Sequence, residues 1–92
     1  MTEERVHRRA VLGGRVQGVF LRDSTRQEAV QRGVAGAARN RPDGTVEVVL
    51  EGPAEDVAAV LAWLRHGPPH ARVDSVDVSE GPVEGLTGFA VG

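Results

Sequence analysis

The strongest constraint on this chain is a strand that runs straight into a helix, TVEVVLEGPAEDVAAVLAWLRHG, from Thr45 to Gly67. Val46, Val48 and Leu50 alternate with Thr45, Glu47 and Glu51, the period of two that buries one face of a strand and wets the other. After Gly52 and Pro53 the period changes. Val57, Val60, Leu61 and Leu64 recur at helical spacing, and Glu55 and Asp56 sit in the first turn, where they complement the helix dipole. Arg65, His66 and Gly67 close the helix ahead of Pro68 and Pro69. An amphipathic helix placed directly after a half-buried strand has to lie back on a sheet.

The rest of the chain supplies that sheet. RPDG, residues 41–44, is a turn sequence, so residues 34–40 pair with the strand at 45–52 as a hairpin, although alanine and glycine make the first arm weak. Residues 6–12 read as a first strand, with Val6, Ala10 and Leu12 on one side, Val11 on the other, and Arg8 breaking the alternation. A helix over residues 22–32 carries a thin apolar stripe of Leu21, Thr25, Ala29 and Val30 and stops at Gly33. RVDSVDVS, residues 72–79, is a further strand, and residues 89–91 add a short terminal one. The order predicts an α+β fold, the ferredoxin-like βαββαβ sandwich, with an antiparallel sheet and both helices on one face. Its 92 residues make a single domain, 1–92.

Composition removes several chemistries. No cysteine means no disulfide, thiolate nucleophile or Cys-ligated metal, and His7, His66 and His70 lack metal-ligand spacing. All 11 basic residues are arginine, so Schiff-base lysine chemistry is excluded and guanidinium is the only strong cation. A net charge of -2 and only three aromatic residues disfavour a nucleic-acid partner. The opening residues MTEERVHRRAV have no signal-peptide run, and no segment is apolar over the roughly 20 residues that a membrane span needs. A cytoplasmic monomer without a membrane partner is expected. Glu55 and Asp56 read as first-turn charges rather than a catalytic pair, Ser24 has no nucleophile motif beside it, and Trp63 reads as packing.

The chemistry-bearing stretch is GRVQGVFLR, Gly14 to Arg22, between the first strand and the first helix. Gly13 and Gly18 imitate the start of a P-loop, but Val19 and Phe20 stand where Lys and Ser or Thr are required, so it is not one. Two readings remain open. In one, Gly14 and Gly18 turn consecutive amides inward as a nest for phosphate or carboxylate, at the positive end of the helix dipole, and Arg22 pairs with the bound anion. In the other, the loop is a tight connection and Arg22 a solvated side chain. Asn40 divides in the same way between a turn initiator for RPDG and a neutral carboxamide able to orient water.

The stretch GRVQGVFLR resembles the signature of acylphosphatases, small enzymes that hydrolyse the mixed anhydride of a carboxylate and phosphate. GAARNRPDGTVEV, residues 36–48, resembles a second family element, and EGPAEDV and LRHGPPHARVDSVDV extend the similarity over nearly the whole chain. Leu21 departs from a position where many members have Phe, and Ala37 from one where many have Trp. By that resemblance Arg22 and Asn40 are the catalytic residues, and the 14–19 loop, through Arg15, Val16, Gln17, Gly18 and Val19, binds phosphate together with Arg22. The resemblance implies hydrolysis of small acyl phosphates such as acetyl or carbamoyl phosphate, or a glycolytic acyl phosphate, by direct attack of water, with no metal, cofactor or phosphoenzyme. A non-catalytic phosphate- or anion-binding regulatory domain is the alternative, and an interaction domain that keeps the fold is a third.

Overall fold

The computed structural model describes residues 4–92. Its elements are β1 (Arg5–Arg15), α1 (Leu21–Gln31), β2 (Ala35–Asn40), β3 (Val46–Pro53), α2 (Ala54–Leu64), β4 (Arg72–Gly81) and β5 (Phe89–Val91). The sheet order is β4-β1-β3-β2-β5. The four longer strands pair antiparallel, as the element order requires, and β5 joins β2 in parallel, which makes the sheet mixed. Helix α2 packs on β1 and β3, α1 packs on β2 and β5, and the two helices touch, so both cover the same face.

The core is the layer between them. Ala10, Leu12, Ala38, Val46, Val48 and Leu50 from the sheet meet Leu21, Ala29, Val57, Val60 and Leu64 from the helices, all essentially without solvent contact. Each large side chain so buried contributes about 1.5–3 kcal/mol. Thr25 is buried in the same layer because its hydroxyl donates to the Leu21 carbonyl at 2.7 Å, which satisfies its one polar atom within the helix. Val30, expected on this stripe, points to solvent at 58% exposure, and Leu61 is only partly buried. The RPDG turn closes as expected: Gly44 N–H donates to the Arg41 carbonyl at 3.1 Å, and Asp43 Oδ1 accepts from Thr45 N–H at 3.0 Å and its hydroxyl at 2.6 Å. These two bonds hold the Asp43 carboxyl below its usual range, the hydroxyl bond contributing most.

One strand boundary departs from expectation. Strand β1 does not end at residue 12 but continues through Gly13, Gly14 and Arg15, pairing with β4 across a bulge at Gly13/Gly14. Gly14 therefore belongs to the sheet, where a β-carbon would stand 2.3 Å from the Arg72 carbonyl oxygen. It is not part of an inward-turned nest.

Glu51 departs too. Alternation puts it with Glu47 on the solvent side of β3, yet it has no exposure at all, because the segment after β4 folds across that side. Its Oε2 accepts from Glu84 N–H at 2.8 Å and lies 2.8 Å from His7 Nδ1, while Oε1 accepts from Leu86 N–H at 2.7 Å. These donors, the Glu84 amide foremost, outweigh the cost of burial and lower its pKa to about 2. Glu47 stays at the surface between Arg9 and Arg39. No helix among the described residues is long and apolar enough to cross a membrane.

Candidate active site

The connection from β1 to α1 is only Val16 to Phe20, and it is anchored by its own side chains. Val16 and Val19 are buried in the core. Gln17 is anchored sideways: its amide nitrogen donates to the Arg41 carbonyl at 2.8 Å and the Thr45 carbonyl at 2.9 Å, tying the loop to the turn that follows Asn40. With these side chains fixed, the main chain between them is held at the head of α1. Gly18 takes a φ of 71° there, with open space where a β-carbon would project. Phe20, the residue before the helix, has a φ of 61° and makes no side-chain cap. Among the described residues, no protein acceptor takes the N–H groups of Val16 to Phe20.

Beside this loop lies a cavity of about 230 Å³ walled by Val16, Gly18, Phe20, Leu21, Arg22, Asp23 and Val91. That falls below the roughly 300–1,000 Å³ typical of sites for drug-sized ligands, so it suits a small anion with a short substituent. Arg22 is partly buried in the first turn of α1, where a cation is disfavoured by the dipole. Its neighbour Asp23 does not neutralise it, being bonded to Arg26 at 3.1 Å and Gln27 at 3.2 Å. Among the described residues the guanidinium has no carboxylate partner.

Asn40, at the end of β2, is not on the wall of that cavity. It lines an adjoining groove with Ala37, Arg39, Ala90, Val91 and Gly92, and the two concavities share Val91. The Gly92 main-chain oxygen accepts from Asn40 N–H at 3.2 Å and also from Arg22 Nη1. One oxygen atom thus joins the guanidinium to the backbone of the asparagine. Arg15, by contrast, is the exposed last residue of β1, paired with Arg72, and lies outside the cavity wall. Among the described residues, no three His, Cys, Asp or Glu side chains gather to hold a metal ion. Residue reading missed Phe20, Val91 and Gly92: β5 comes to this site only through parallel pairing, which leaves no local mark.

A family model for acylphosphatase matches residues 8–91. This chain belongs to the acylphosphatase family. It is a hydrolase by that membership. The chain is 54% identical over 84 residues to an acylphosphatase of Rubrobacter xylanophilus, covering 90% of this chain and 76% of that one. To that of Methylococcus capsulatus it is 53% identical over 89 residues, 96% and 95% of the two chains. The crystal structure of acylphosphatase from Bacillus subtilis superposes with a TM-score of 0.90 at 34% identity, over 94% of this chain and 97% of that one. The ferredoxin-like fold expected from the element order is the fold of these acylphosphatase structures.

Proposed function

We propose that this chain hydrolyses small acyl phosphates to a carboxylate and inorganic phosphate by direct attack of water. The amides of Val16, Gln17, Gly18 and Val19 and the Arg22 guanidinium hold the phosphoryl oxygens; the Asn40 carboxamide orients the water. The water oxygen bonds to phosphorus as the bond to the acyl oxygen breaks. That electron pair leaves on the carboxylate, and the water proton passes to a phosphoryl oxygen. A carboxylate is a good leaving group and needs no general acid, so positioning and charge stabilisation carry the catalysis. Neutral Asn40 serves over a broad pH range because it neither gains nor loses a proton.

The observation that supports this reading best is the shared oxygen of Gly92, which Arg22 and Asn40 N–H both reach. An anion oxygen competing for that guanidinium would lie beside Asn40. The test is benzoyl phosphate hydrolysis in the presence of a chelator. Turnover is expected in the unaltered chain, lost in Arg22→Ala and greatly reduced in Asn40→Ala. Phosphate binding without turnover in the unaltered chain would make it a regulatory anion-binding domain instead, and full activity in either folded variant would remove that residue from the mechanism.

A further inference from the structure

Phe20 is at odds with every local preference of its position. The residue ahead of a helix is ordinarily Ser, Thr, Asp, Asn or Gly, whose side chain or flexibility satisfies the first amides; Phe20 supplies no such bond. Its left-handed backbone, φ 61° and ψ 20°, suits glycine or asparagine and strains a bulky residue. Burial offers no compensation, because the side chain is 80% exposed, the most exposed large apolar residue among those described. A residue that strains the backbone and leaves its ring in water contributes nothing evident to folding.

Phe20 stands instead on the wall of the cavity, beside Gly18 and Arg22, and Val91, itself 42% exposed, lines it as well. Loop amides and Arg22 account for the phosphate end of a ligand, which leaves its other end against the apolar part of the rim. We propose that Phe20 is the acyl-recognition residue of this site, a ring against which planar or apolar acyl groups pack while the phosphate sits in the loop. This rests on the acyl phosphate hydrolysis proposed above.

The experiment compares kcat/KM for benzoyl phosphate and acetyl phosphate in the full chain carrying Phe20, Asn, Leu or Tyr at this position. Phe20→Asn keeps the left-handed backbone at ease and removes the ring. The benzoyl-to-acetyl ratio is expected to fall about three- to tenfold, the worth of one aromatic contact, with the change in KM rather than kcat. Phe20→Tyr restores the ratio, and Phe20→Leu, as strained as the parent but without the flat ring, does not. Inhibition by inorganic phosphate should shift by less than about twofold in all three. A ratio that stays constant in Phe20→Asn while acetyl phosphate is turned over overturns the role of Phe20 alone. Equal losses on both substrates do the same, since they mark a residue that only shapes the loop. Absence of turnover in the unaltered chain overturns the hydrolytic reading along with it.

Discussion

Gly14 and Gly18 look equivalent in the stretch GRVQGVFLR, yet the structure gives them separate tasks that alanine scanning separates. At Gly14, with φ 119°, an added β-carbon would lie 2.3 Å from the Arg72 carbonyl oxygen and 2.8 Å from the Asp74 nitrogen, both main chain in the neighbouring strand. Neither atom can rotate away, so Gly14→Ala incurs overpacking of about 1–3 kcal/mol on top of about 1–3 kcal/mol of backbone strain. At Gly18, with φ 71°, nothing lies within 4 Å, and only the left-handed term of about 1–2 kcal/mol applies. The stiffer unfolded chain of an alanine variant returns about 0.4–1 kcal/mol at either site. A domain of this size holds roughly 5–14 kcal/mol in total and shifts by about 4–8 °C per kcal/mol. With mid-range nets of about 0.8 kcal/mol at Gly18 and about 3.3 kcal/mol at Gly14, circular-dichroism melts should show Gly18→Ala lowered by about 3–6 °C and Gly14→Ala by about 13–26 °C. Activity should reverse the order, Gly18→Ala losing more kcat/KM per unit of lost stability because Gly18 lines the cavity and Gly14 does not. Equal melting losses, or a Gly14→Ala protein as stable as the parent, would refute the assignment of Gly14 to the strand bulge.

Three further outcomes are expected of the same fold and site. Arg22→Lys keeps the charge but loses the planar fork, and benzoyl phosphate turnover should fall by about 100-fold or more, with weaker inhibition by phosphate. Glu51 has its pKa depressed from 4.5 to about 2, so its stabilising effect is complete above pH 4.5 and is lost as the pH falls toward 2. Melting temperatures should drop across that window in the parent and drop less steeply in Glu51→Gln. Leu64→Ala, in the fully buried last turn of α2, should cost about 2–5 kcal/mol in urea denaturation with an unchanged m value.

Local signals were legible where local physics decides. The RPDG turn and the helix behind Pro53 form where read, because Asp43 caps its own turn and Val57, Val60 and Leu64 need only a neighbouring sheet. Leu21, Thr25 and Ala29 were legible as the buried face of α1 in the same way. What stayed hidden depends on chain segments far apart in sequence. Gly13 and Gly14 look like the start of a loop and are strand, because β4 provides a partner across the bulge. Glu51 carries the period of a solvent-facing residue until residues 84–86 cross over it. The left-handed turn of Phe20 has no precursor in its residue type. At the site, Arg22 and Asn40 could be singled out only by resemblance, since each has an ordinary local explanation, and nothing in the spacing foretells that β5 brings Gly92 to both.

That third segment explains why a small fold buries a carboxylate. Strand β5 has three residues and one strand neighbour, too little to stay in register alone. It is fastened at its two ends. Ahead of it, the Glu84 and Leu86 amides close on Glu51, a charge-assisted pair of bonds that fixes where the segment leaves the open side of the sheet. Behind it, Gly92 N–H donates to the Ala38 carbonyl at 2.9 Å and the Gly92 oxygen accepts from Asn40 and Arg22. Val91, held between these fastenings, forms one wall of the cavity. A hydrophobic residue in place of Glu51 would fill the same space and leave two main-chain amides without acceptors. The carboxylate therefore fastens the segment that crosses the sheet from β4 to β5, and the placing of Val91 and Gly92 depends on a side chain that lines neither concavity.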